Sequence, residues 1–100
     1  MMTMNKPLFH PGYVLATSGA LEILQRNQCS GREFLDRHLG GDWGAVPTED
    51  WEANDEALKS GARLMSAYEL PDGSKLWVVS EAADSCGQRS ATTFLLPDDY

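Results

Sequence analysis

The 100-residue sequence predicts an α+β domain, with three N-terminal helices packed on a C-terminal three-stranded antiparallel β-meander. Apolar residues recur at helical spacing as far as Gly61, and beyond it the period drops to two. Helices first and strands afterwards is the segregated order of α+β folds, not the alternation that builds parallel sheets. A composition of 42% hydrophobic residues is that of an ordinary globular chain. One domain is expected over residues 1–100, divided into an irregular arm (1–13), a helical part (14–61) and the meander (62–97).

The arm follows from Pro7, Pro11 and Gly12. Thr17 is placed to cap a first helix with Ala20, Leu21, Ile23 and Leu24 on one side, ending near Asn27 and Gln28. Ser30-Gly31-Arg32-Glu33 has the pattern of a capping box, in which the hydroxyl and the carboxylate each satisfy the other's backbone N–H. It opens a second helix that buries Phe34, Leu35 and Leu39 and stops at Gly40-Gly41. Thr48 is expected to cap a third helix running to Ser60, with Trp51, Asp55, Leu58 and Ala62 along one stripe and Gly61 as its stop. Leu64, Tyr68 and Leu70 then mark a strand, Pro71-Asp72-Gly73-Ser74 a tight turn, Lys75 to Glu81 a second strand and Ala91 to Leu96 a third, halted by Pro97.

The formal charge of −7, from 15 acids against 8 bases, argues against direct nucleic-acid binding, which depends on Lys and Arg displacing phosphate counterions. Anionic membranes are disfavoured for the same reason, and no apolar run has the roughly 20 residues that a membrane helix needs. Met1 to Leu8 lacks the apolar stretch of a signal peptide, so a cytoplasmic protein is expected. Cys29, Cys86, His10 and His38 share no metal-ligand spacing, and no bound metal or cofactor is expected. Nor does the chain contain a P-loop, a Gly-x-Gly-x-x-Gly, a His-Glu-x-x-His or a nucleophile elbow, so no catalytic residue is assigned.

Several motifs are nevertheless distinctive. His38-x-x-Gly41-Asp42-Trp43-Gly44, Asn54-Asp55-x-Ala57-Leu58, Gly61-x-Arg63-Leu64-x-Ser66-Ala67-Tyr68, Lys75-Leu76-Trp77 and Thr92-Thr93-x-Leu95-Leu96-Pro97-x-x-Tyr100 resemble a family of small proteobacterial phage- and plasmid-associated proteins, known as plasmid-related proteins and without an agreed activity. The resemblance spans roughly residues 14 to 100. It departs at the second hairpin, where the family reads approximately T-E-A-D-R-S-x-T-T and this chain inserts Ala83 to Gln88 between Ala82 and Arg89. What the resemblance implies is a setting, that of mobile genetic elements whose small accessory proteins often counter restriction or CRISPR systems of the host.

The acids cluster. Asp42, Glu49, Asp50, Glu52, Asp55 and Glu56 lie in one segment with no Lys, Arg or His among them. On a helix Glu49, Glu52 and Glu56 form a row spaced by about 4.5 and 6 Å along the axis, against about 3.4 Å between phosphates of one DNA strand. Such a row can act as a DNA mimic toward a basic channel, or can merely favour the helix dipole, with Lys59 and Arg63 neutralising part of it. The expected partner-binding set is these six acids with Trp43, whose ring in a Gly-flanked loop can project outward or fold back onto the domain as a plug. The expected function is inhibition of a host nucleic-acid-targeting complex by protein–protein binding, most sharply as an anti-CRISPR protein against a type I effector. The alternative is a non-catalytic accessory module, monomeric or a homodimer through an open edge at the meander's first or third strand. His38 is expected to meet free carbonyls at its helix end, Asn54 and Asp55 to bond the Gly61–Arg63 bend or the sheet, and Trp51 and Trp77 to lie in the core. A small enzyme would require a polar pocket around His38, Asp42 and Asn54.

Overall fold

The computed structural model describes residues 6–100. Its elements are β1 (Tyr13–Ala16), α1 (Ser18–Arg26), α2 (Gly31–Leu39), α3 (Thr48–Ser60), β2 (Leu64–Glu69), β3 (Lys75–Ser80) and β4 (Ala91–Leu95), followed by a 3-10 turn at Pro97–Asp99. The three helices are where the spacing put them, but the expected three-stranded antiparallel meander is corrected to a four-stranded mixed sheet of order β1-β4-β3-β2. β1 runs parallel to β4, and the other two pairings are antiparallel.

The added strand comes from the junction of the expected arm and helical part. Gly12 turns the chain with φ +69°, and a Cβ there would sit 2.3 Å from the Arg89 carbonyl oxygen, so only glycine allows this approach. Tyr13 N–H then donates to Ser90 O at 3.0 Å and Thr17 N–H to Phe94 O at 2.9 Å, bracketing the parallel ladder. The described part of the arm is docked as well: Leu8 N–H donates to Leu39 O at 2.8 Å. The first five residues of the expected arm lie outside the described residues.

Thr17 caps α1 as expected, accepting from Ala20 N–H at 3.2 Å. The helix buries Ala20, Ile23 and Leu24, whereas Leu21 faces out. Ser30 caps α2 through the N–H of Arg32 with no return bond from Glu33, so only half of the capping box forms. α3 starts at Thr48 itself, with Pro47 in the cap position and no side-chain cap. Gly61 ends it in the left-handed conformation, its N–H on Ala57 O.

One face of the sheet presents Tyr68, Leu76, Val78 and Phe94 to α1 and α2, forming the main core with Ala20, Ile23, Leu24, Phe34 and Leu70. Trp43, Ala57 and Leu64 form a second cluster beneath α3. Both edges expected to be open are closed. At the β2 edge, the Asn54 amide takes the place of a neighbouring strand, donating to Met65 O at 2.8 Å and accepting from Met65 N–H at 3.1 Å. Two residues further along, Ala67 N–H donates to Trp43 O and Ala67 O accepts from Ala45 N–H. At the other side of the meander β4 is covered by β1.

Candidate functional site

α3 carries the acidic surface. Asn54 and Ala57 are buried on its inner side, and helical geometry turns Glu49, Glu52 and Glu56 to the opposite side, where all three are exposed. Asp50 and Asp55 are exposed beside them. Among the described residues none of these five carboxylates makes an ion pair. Arg63, expected to neutralise part of the face, stands over the Tyr100 ring at 5.1 Å instead.

Two members of the expected partner-binding set are committed elsewhere. Trp43 is fully buried, which corrects its assignment as a surface contact. Its indole N–H donates to Asp55 at 3.0 Å, so Asp55 anchors α3 to the preceding loop as well as contributing charge. Gly44 has φ +77°, and a Cβ there would meet the Ala67 carbonyl oxygen, so only glycine lets the chain lie this close against β2. Asp42 is paired with Arg37 at 2.8 Å and accepts from Gly44 N–H at 3.1 Å. The Arg37 hydrogen bond holds its carboxyl below the ordinary carboxylate range. Asp42 therefore closes the end of α2 and is not a member of the α3 row. Trp51 and Trp77, expected in the core, are only half-buried, Trp77 edge-on to Tyr100 at 5.7 Å between ring centroids.

His38 faces the sheet, not the helix-end carbonyls, and is fully buried. Its ring joins a chain of hydroxyls whose proton directions can be counted. Thr92 donates to the Pro11 carbonyl at 2.8 Å, so it accepts from Ser80 at 2.6 Å. Ser80 then accepts from His38 Nε2–H at 2.9 Å, and Nδ1 accepts from Ser66 at 2.6 Å. The tautomer carrying hydrogen on Nε2 is fixed by this count. Burial, reinforced by the charge of Arg89, lowers the imidazole to about 4, so it is neutral at pH 7. The pocket that an enzyme would need around His38, Asp42 and Asn54 is not assembled, because each side chain is bonded to a different part of the scaffold.

Arg89 is buried as well. It donates to the carbonyls of Ala62 (2.7 Å), Glu81 (2.9 Å) and Ala57 (3.2 Å), tying the C-terminal end of α3 to the loop after β3. Burial lowers its pKa, and the partial negative charge of the helix end compensates in place of a carboxylate. The inserted loop is ordered by Asp84, whose Oδ1 accepts from Cys86 N–H and Gln88 N–H, both at 2.9 Å. No protein-family model, curated protein or solved structure matches the chain.

Of the two partners expected for Asn54, the bend and the sheet, it takes the sheet at Met65; the His38 network and the Arg89 staple were not foreseen. Asn54 in mid-helix was a visible oddity, since a poor helix former inside an otherwise well-formed helix needs a tertiary reason. Ser66, Ser80 and Thr92 occupy inward positions of strands that otherwise alternate apolar residues, a second available signal.

Proposed function

We propose that the protein is a non-catalytic inhibitor, acting in the host cytoplasm, that presents the outer face of α3 to the basic nucleic-acid channel of a host defence complex. A type I CRISPR effector is the sharpest candidate. The observation that carries the reading is the exposed and unpaired state of Glu49, Glu52 and Glu56, flanked by Asp50 and Asp55. Acids serving only to stabilise the helix need no such row beyond its first turn. The phage- and plasmid-associated proteins whose motifs the chain resembles supply the setting. The contact is protein to protein, with neither nucleic acid nor membrane bound directly.

The experiment compares wild type with Glu49→Gln, Glu52→Gln and Glu56→Gln combined, in nucleic-acid binding assays of candidate effector complexes. The reading expects inhibition by wild type to weaken as salt rises, since the Debye length shortens from about 10 Å at 0.1 M to about 3 Å at 1 M. It expects the triple variant to lose most of that inhibition. Equal inhibition by both proteins sinks the acidic-face mechanism.

A further inference from the structure

From the open side of β1 we infer that the protein pairs with a second copy of itself, β1 antiparallel to β1, to form a continuous eight-stranded sheet. The ladder to β4 uses the N–H groups of Tyr13 and Thr17, and strand alternation gives Leu15 the same direction. The N–H groups of Val14 and Ala16 therefore point away from the sheet. The opposite edge has no such opening, since Asn54 and the Trp43–Ala45 segment occupy it.

Four of the six large hydrophobic side chains left exposed among the described residues are Tyr13, Val14, Leu15 and Leu21, all in β1 or the first half of α1. Beside them runs an apolar groove of about 1370 Å³, walled by Val14, Leu21, Leu24, Leu35, Leu39 and Phe94. Residues of α1 and α2 form one wall of the groove and residues of β1 the other. A four-residue strand pair alone is far short of the roughly 800 Å² per partner of a stable interface, and the groove wall supplies apolar surface toward the rest.

Charge identifies the occupant. No Asp, Glu, Lys or Arg occurs from Pro7 to Leu21, the longest uncharged stretch of a chain carrying −7. Two copies of so acidic a chain repel across most orientations; β1 itself brings no charges together, and the charged residues that line the groove, Lys6, Arg32 and Asp36, are two basic against one acidic, the reverse of the chain's balance. An uncharged strand with no Lys or Pro within it also lacks the usual devices that keep edges apart. Pairing that satisfies both free N–H groups of each copy sets Val14 opposite Ala16 of the second copy and places Leu15 on the two-fold axis, facing its own counterpart at about 4.5 Å between Cα atoms.

The test is mass in solution combined with amide exchange. Wild type is expected at twice the 11.0 kDa chain mass at about 50 µM, with the Val14 and Ala16 amides protected in proportion to dimer. Leu15→Lys puts two like charges on the axis through a half-exposed side chain and is expected to raise the dissociation constant on the order of 100-fold while leaving the circular dichroism spectrum intact. A wild type that is monomeric at about 100 µM overturns the inference, whether its edge then proves bare or covered by some other strand. So does a dimer in which the Val14 and Ala16 amides exchange freely, an outcome that stays decisive even if Leu15→Lys fails to fold.

Discussion

His38 is neutral because its ring is fully buried, with one fixed partner on each nitrogen. That has a consequence for pH. The unfolded imidazole takes up a proton near 6.5, whereas the folded one resists until about 4. Between those values the unfolded chain binds more protons, so stability is full above 6.5, falls as pH drops, and levels off below 4. The loss across the window is about 3 kcal/mol. Urea unfolding at pH 7.5 and pH 4 should show wild type losing about that much more than His38→Gln, which has no proton to gain. The network was not legible because its partners come from three strands: helix spacing places His38 on an inner face, but nothing local says that serines stand opposite. Trp43 stood open between a plug and a surface contact for a related reason, and its burial decides for the plug. Its glycine neighbours signal freedom when taken alone, and in the fold Gly44 is what lets the backbone lie close against β2.

At the scale of elements, Asn54 makes α3 and β2 one unit. Replacing it with Ala leaves the Met65 N–H and C=O without partners at a site where water has little access, and each orphaned group costs about 1–3 kcal/mol. Thermal unfolding of Asn54→Ala should show a drop of that order, with a rise in concentration-dependent aggregation as the β2 edge opens. Asn54→Asp should be no better, since an oxygen then faces the Met65 carbonyl. The helices and the β2–β3 hairpin were legible because their signals are local: Thr17 and Ser30 at caps, Gly61 at a stop, Pro71-Asp72-Gly73-Ser74 at the turn. β1 was not. Tyr13-Val14-Leu15-Ala16 is a short apolar run with no turn of helix and no alternation, and only β4 makes it a strand.

Across the whole molecule, charge and packing are largely separate. Among the described residues the exposed acids of α3 touch no ion-pair partner, so removing them should cost the fold little. Changing Glu49, Glu52 and Glu56 to Gln takes the formal charge from −7 to −4 and should leave the denaturation midpoint within about 0.5 kcal/mol of wild type, or raise it. Loss of inhibition by that variant is then a loss of surface and not of structure; denaturant titration of both proteins checks it. The strand order has a different kind of consequence. β1 is the first strand in the chain and β4 the last, and Asp99 reaches back to accept from the Thr17 hydroxyl at 2.7 Å. During synthesis the amino end cannot find its partner until residues 91–99 have left the ribosome, several seconds after Tyr13 at about 5–20 residues per second. Through that interval the uncharged stretch from Pro7 to Leu21 has neither β4 nor the finished core to lean on, which makes translation speed and chaperone supply determinants of yield for this protein.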